Sequence, residues 1–363
     1  MNIRASFSKM KLRLHEFVQK HPRLAMVLAV ISLVIAGVLI TLALMYQKPE
    51  PKVIPKPAPK PEPKVVYYSR LTGKEVKTKA DETAPVTAIM IENSLAARPQ
   101  SGLKDAGIVY EAIAEGGITR FLALYQNDKP RQVGPVRSLR TYFVDWLAPY
   151  QASVAHVGGS AQSLREIRNG KYRDIDQFFN ADTYWRAADR YAPHNVYTNF
   201  KRLDALNKAK GYVSSDFNGL ERTDNKPLEE IKASKITITF SGGPDYNTSY
   251  SYQRTCDCYT RTLGGVAHED REEGQITPNV VIGMQVDMRQ VMEDGYRESI
   301  TTTGTGSAKI FQNGNITEAS WRKTSRGSQL EFLDRNGKPF KFERGQVWIA
   351  AVPNGQGKIT WKK

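Results

Sequence analysis

The chain has 363 residues and a formal charge of +15, from 52 Lys+Arg against 37 Asp+Glu, with 40% hydrophobic and 25% charged residues. This is globular composition, which excludes wholesale disorder and fibre, and two cysteines exclude a disulfide framework. At about 150 residues per domain the length implies two folded domains, each large enough for a core.

Residues 1–23 carry six basic side chains against one acid, Glu16, and residues 24–46 follow with no charge at all. At ~1.5 Å per residue that apolar run spans a ~30 Å hydrocarbon core. Signal-peptide apolar regions are shorter, ~7–15 residues. The run is therefore predicted to be an uncleaved transmembrane anchor. Basic residues before it place the 1–23 tail in the cytoplasm and the rest of the chain outside, in a single-pass arrangement. The stretch 48–64 holds seven prolines and reads as a semi-rigid polyproline spacer. Residues 47–82 are thus linker and lead-in.

Charge divides unevenly along the chain. Residues 1–64 hold 11 Lys+Arg and 3 acids, a net +8, which leaves +7 for the remainder. More than half of the excess sits in anchor and spacer. A nucleic-acid partner is therefore not expected. The cell membrane is a partner through 24–46, and anionic headgroups or wall polymers lie nearest to an exported domain.

The folded part is predicted as an N-terminal domain over 83–222 and a strand-rich C-terminal domain over 223–363, an α/β (α+β) fold. Residues 86–93 read as a buried strand. Residues 107–117 and 118–127 read as a hairpin turning at Gly116-Gly117. Leu139, Tyr142, Phe143, Trp146 and Leu147 have helical spacing over 136–150, which Pro149 ends. Residues 152–170 read as strand, Gly-Gly-Ser turn and helix. Residues 198–211 form a further helix with Thr198 or Asn199 as N-cap. Beyond the polar stretch 215–234, strands are predicted at 235–240, 249–262, 279–288, 296–303 and 345–353, with hairpin turns at 313–315 and 335–338.

Four groups of residues could carry chemistry. Glu115, Gly116, Gly117 and Arg120 precede Arg137, Ser138 and Arg140 at an expected helix start. Guanidiniums and a hydroxyl there suit a carboxylate or phosphate. The plainer alternative is a Glu115–Arg120 ion pair with Ser138 as a cap. His156 precedes Gly158, Gly159 and Ser160, whose backbone N–H groups could bind an anion while His156 acts as acid or base. Alternatively Ser160 is an N-cap and His156 a satisfied buried residue. His194 and Asn195 follow a proline in a loop and are site members or turn formers. Cys256 and Cys258 are ordinary thiols or a disulfide, with redox chemistry as a further alternative. Zinc with His268 and Asp270 does not meet the usual spacing, and no metal or cofactor is expected.

These stretches resemble a known family. Residues 97–126, 133–146, 155–162 and 192–197, with 279–286, 304–306, 319–323 and 345–353, are similar to the YerB-like family of bacterial exported proteins. The resemblance implies a two-part α/β fold tethered outside the membrane, often as a lipoprotein. This sequence departs by lacking a lipobox cysteine. The family has no known function and supplies no catalytic residues.

The function expected is binding of an anionic envelope ligand, such as a peptidoglycan or wall-polymer fragment, in a cleft of the first domain. Arg120, Arg137, Ser138, Arg140, Gly158, Gly159, Ser160 and Asn195 would line it. The alternatives are a hydrolase or transferase using His156 or His194 with Glu115, and a protein-partner scaffold. Catalysis requires Glu115, Arg137, His156 and His194 to converge on one substrate.

Overall fold

The computed structural model describes residues 3–46, 65–224, 227–241, 243–291 and 297–363. The polyproline stretch 48–64 lies outside the described residues. The chain divides into two units, residues 1–63 and 64–363.

The first unit holds helices α1 (Ile3–Lys20) and α2 (Pro22–Met45). Pro22 stands at the first helical position of α2, where its missing N–H costs nothing. None of the α2 side chains is buried, and the helix is long and apolar enough to cross a membrane.

In the second unit, a large mixed sheet runs through both halves of the chain. Its elements, in chain order, begin with β1 (Thr87–Glu92), β2 (Ile108–Glu115) and β3 (Ile118–Tyr125). Helix α3 (Thr141–Leu147), β4 (Ser153–Ala155), helix α4 (Ala161–Asn169) and β5 (Arg173–Asp174) follow. Helix α5 (Phe200–Ala209) closes the first half, capped by Asn199, whose side chain accepts from the Arg202 N–H. The second half adds β6 (Lys235–Thr239), β7 (Thr248–Gln253), β8 (Cys258–Leu263), β9 (Val266–Ala267) and β10 (Val280–Val286). It continues with β11 (Gly304–Gln312), β12 (Asn315–Lys323), β13 (Glu331–Leu333), β14 (Val347–Pro353) and β15 (Lys358–Lys362).

The large sheet has the order β13-β12-β11-β10-β14-β2-β3-β1-β4-β5. Strand β14 pairs in parallel with β10 on one side and with β2 on the other, with Trp348 opposite both Val281 and Val109. The segments expected as two domains, 83–222 and 223–363, therefore share one sheet. A second sheet, β9-β8-β7-β6-β15, is built wholly from the second half.

Both faces of the large sheet are covered, so its inner strands are apolar on both sides. Val347, Ile349 and Ala351 join the core beneath α3 and α4, while Trp348, Ala350 and Val352 join the core shared with the second sheet and α5. This alternation follows from the two-residue period of a strand.

Two local expectations are corrected. Helix α3 begins at Thr141, not 136, because Val136 and Leu139 bridge instead to Ile91 and Gly159. Ser138 is consequently not its cap; Arg140 occupies that position without a capping side-chain bond. The predicted strand 249–262 is a hairpin, β7 and β8, turning where Asp257 takes φ 47°.

Candidate functional site

Strand β3 pairs with β1 so that Arg120 lies opposite Glu92, and with β2 so that it lies opposite Ala112. Glu115 ends β2 just before the Gly116-Gly117 turn, where both glycines have positive φ, 56° and 78°. Arg120 donates to Glu115 Oε1 at 2.9 Å and to the Ser138 carbonyl at 2.8 Å. Arg140 donates from Nε to Glu115 Oε2 at 3.0 Å and from a second nitrogen to the same oxygen. Burial alone would raise the Glu115 pKa, but the charges and hydrogen bonds of Arg120 and Arg140 outweigh it and hold the carboxyl at about 2. Glu115 thus ties a β-turn to a helix start, and two of the three expected anion-binding arginines are paired with it.

Arg137 is placed differently. Its backbone N–H donates to the Met90 carbonyl at 2.9 Å, which holds residue 137 beside the end of β1. Its Nε lies 3.4 Å from Glu92 Oε1, and among the described residues the guanidinium donates no hydrogen bond. Glu92 is buried, and its Oε2 has no partner either. His194 meets the same carboxylate: Nδ1 lies 2.9 Å from Glu92 Oε1 and 3.2 Å from the Ser94 hydroxyl. Ser94 also donates to Glu92 Oε1 at 3.0 Å. Arg137 and His194 each keep about a quarter of the side chain exposed, 25% and 27%. A buried carboxylate at a strand end therefore gathers a cation, an imidazole and a hydroxyl at the surface. The imidazole Nδ1 faces the acceptor, which leaves Nε2 for an incoming group.

Asn195 is buried and bonded within its own loop. It accepts from Arg186 at 2.8 Å and donates to the Ala187 and Arg190 carbonyls at 3.3 and 3.2 Å. Arg190 in turn ties this loop to the Ala96 and Pro99 carbonyls. The residues before three prolines here, Arg98, Gly134 and Ala192, form cis peptides with them.

His156 lies apart from this group in its contacts. It is fully buried, with Nδ1 at 2.7 Å from the Gly158 carbonyl and Nε2 at 2.9 Å from Asp174. Burial would raise the Asp174 pKa, but the His156 hydrogen bond and charge bring it below the usual carboxylate range. Gly158 N–H donates to Asp176, and Ser160 N–H donates to the Leu139 carbonyl. The Ser160 hydroxyl caps α4, accepting from Ser163 N–H at 3.2 Å. A Cβ on Gly159 would sit 2.7 Å from the Ser163 hydroxyl and 3.0 Å from the Leu139 carbonyl, so this turn is packed on its own helix.

A buried polar chain behind the site was not anticipated from the sequence. Glu111 and Arg261 pair at 2.7 Å with no exposure of either side chain. Trp348 Nε1 donates to the same Glu111 oxygen, and the Arg261 guanidinium stacks 4.3 Å from the Trp348 ring. Arg261 also donates to His268 Nδ1, and His268 Nε2 donates to Gln100 at 2.9 Å. Gln100 then donates to the Glu92 carbonyl and to Asn93, both at 3.0 Å. Burial, with Arg261 and Arg98 close by, pushes the His268 pKa well down, so the ring is neutral and can accept from Arg261. Its ring nitrogens are both occupied, and Cys256 is disulfide-bonded to Cys258, so the zinc alternative has no thiolates to use.

The structure thus brings Arg137 and His194 together, on Glu92, while Glu115 and His156 are engaged by other partners. Glu92 and Ser94 were missed by sequence reasoning. Their one signal was an acid closing an otherwise apolar strand, at 86–93.

Comparison with known proteins gives consistent matches over the second unit. Residues 71–213 match the N-terminal domain, and residues 236–349 the C-terminal domain, of "Protein of unknown function (DUF3048)". The chain is 33% identical over 296 residues to the "Putative lipoprotein YerB" of Bacillus subtilis (strain 168), covering 78% of this chain and 86% of that one. The crystal structure of the YerB protein from Bacillus subtilis is similar with a TM-score of 0.73 at 30% identity, covering 81% of this chain and 99% of the other.

Proposed function

The chain belongs to the DUF3048 family of proteins of unknown function, and on that premise we propose that it is a membrane-tethered extracytoplasmic protein that binds an anionic envelope ligand at Arg137 and His194. The tether is the apolar run of α2, with residues 1–23 on the cytoplasmic side and 65–363 outside. A lipoprotein relative supports the same side of the membrane. The ligand class is a peptidoglycan or anionic wall-polymer fragment.

One observation carries the reading. Of the three arginines grouped near the first hairpin, Arg137 alone makes no hydrogen bond to a carboxylate, lying 3.4 Å from Glu92, and it keeps 25% of its side chain exposed against 4% for Arg120 and 6% for Arg140. A guanidinium with unfilled donors offers a forked site for a carboxylate or phosphate. His194, whose Nδ1–H is spent on Glu92, offers Nε2 on the same rim as an acceptor for a ligand hydroxyl. Arg120 and Arg140, both paired with Glu115, shape the support beneath.

A second reading, an envelope hydrolase or transferase, rests on the His194–Glu92 contact. A carboxylate on Nδ1 orients the ring and prepares Nε2 to exchange a proton with a substrate. His156, with both nitrogens engaged, does not offer this.

The test uses the full chain in detergent micelles and purified peptidoglycan or anionic wall polymer in a sedimentation assay. Arg137→Gln should weaken binding at least tenfold, and Lys358→Gln on the second sheet should leave it unchanged. Retention of full affinity by Arg137→Gln overturns the binding site. Turnover of a labelled wall fragment that His194→Ala abolishes would favour the enzyme. Absence of both binding and turnover leaves a protein-partner scaffold.

A further inference from the structure

The turn between β7 and β8 carries Cys256 and Cys258, joined by a disulfide across the single residue Asp257. We propose that this disulfide is exchange-active and accepts two electrons from a protein dithiol while the surrounding fold stays intact.

Access is the first argument. Cys256 is exposed and Cys258 is buried, at 4% exposure. Both line a cavity of about 360 Å³ together with Thr277, Asn279 and Gln346. The cavity gives an incoming side chain room beside the pair. Lys74 and Lys104 face it, as do Asp105 and Asp128, so the wall is polar and balanced in charge.

The second argument is that the bond is not what holds the hairpin. Strands β7 and β8 are paired from Thr248 opposite Leu263 to Gln253 opposite Cys258. The turn is further held by Tyr252 donating to Asp257 at 2.7 Å and by Asn279 donating to the Asp257 carbonyl at 3.3 Å. Tyr259 N–H donates to the Pro278 carbonyl at 2.9 Å. In the chain-entropy account, the stabilisation by a disulfide grows with the logarithm of the loop that it closes, and a loop of one intervening residue is at the weak end of that scale. Exposed disulfides that carry little of the fold are the labile and regulatory ones.

The chemistry is then fixed by which sulfur is reachable. A donor thiolate attacks Cys256 Sγ; the new bond is donor sulfur to Cys256, and the Cys256–Cys258 bond breaks. Its electron pair leaves on Cys258 Sγ, which takes a proton. The donor's second thiolate attacks its own mixed-disulfide sulfur and releases Cys256. Two electrons and two protons have moved to the cysteine pair, and the donor departs as a disulfide.

The experiment takes the full chain in detergent, prepared without reductant. It is treated with dithiothreitol or with reduced thioredoxin at equal dithiol concentration, then with maleimide-polyethylene glycol, and read by gel shift alongside circular dichroism. Labelling of both sulfurs without denaturant, native circular dichroism, and reduction at least tenfold faster by thioredoxin are expected. In addition, Cys258→Ser should form a mixed disulfide with glutathione disulfide at least tenfold faster than Cys256→Ser. The proposal is overturned by free thiols in the starting protein, by labelling that needs denaturant, by loss of circular dichroism on reduction, or by equal rates for the two reductants or the two variants.

Discussion

Glu111 and Arg261, 150 residues apart in sequence, form a fully buried ion pair at 2.7 Å between the large sheet and the second sheet. Glu111 accepts in addition from Thr119 at 3.0 Å and from Trp348 at 2.9 Å, so its charge has partners on both sides. Such a pair is strongly destabilising to break, because the partner left behind is a buried charge without compensation. Arg261→Met should therefore lower stability by about 3–5 kcal/mol. The double variant Glu111→Gln/Arg261→Met should lose less, since the glutamine strands no charge. Urea unfolding of each variant measures both quantities.

Glu115 makes stability depend on acid. Its folded pKa, about 2, lies below the ordinary 4.5. The stabilisation is thus fully present above about pH 4.5 and is lost as pH falls through about 2. Discounted for the partial exposure of the carboxylate, it is on the order of 2 kcal/mol. Glu115→Gln should be less stable than the parent at pH 6 and should show a flatter stability profile between pH 5 and 2. Parallel slopes for the two proteins would contradict the pairing with Arg120 and Arg140.

Gly134 holds the segment that delivers Arg137. Its φ is +155°, and a Cβ there would meet the Val196 carbonyl at 2.9 Å and the Tyr197 ring at 2.7 Å. Gly134→Ala should cost about 1–3 kcal/mol through backbone strain alone. It should also weaken wall-polymer binding, because Gly134 exchanges backbone hydrogen bonds with Ser101 three residues ahead of Arg137. Thermal unfolding and the sedimentation assay report the two effects separately.

Topology is open to direct measurement. Protease added to intact spheroplasts should remove an epitope fused after Lys363 and spare one fused before Met1. Protection of the first epitope would reverse the orientation drawn from the basic tail and α2.

Much of the fold was legible because its signals are local. Apolar runs marked β1, β2, β3, β10 and β14, and Gly116-Gly117 marked their tightest hairpin. The placement of β14 between β10 and β2 was not legible, since parallel pairing of strands far apart in sequence, Val347 with Val280 and with Ile108, leaves no local trace. At 136–140 the spacing of Leu139 with the later aromatics imitated a helix, while the backbone was claimed by Ile91 and Gly159. Arg137 was singled out at an expected helix start and His194 in a loop. Glu92, which joins them, was hidden as the end of an apolar strand. The distinction between Arg137 and its neighbours Arg120 and Arg140 depended on where Glu115 points, which sequence spacing does not encode.

The position of β14 also sets an order of events. Residues 347–353 fill a central place in the large sheet, with β2 on one side and β10 on the other. A chain that emerges N-terminus first brings out residues 87–125 while a strand neighbour is still missing. The two halves of the sheet cannot join until residues up to 353 are available. Synthesis and folding are thereby placed in sequence, and a chain halted midway would present the open edge of β2 to any strand able to pair with it.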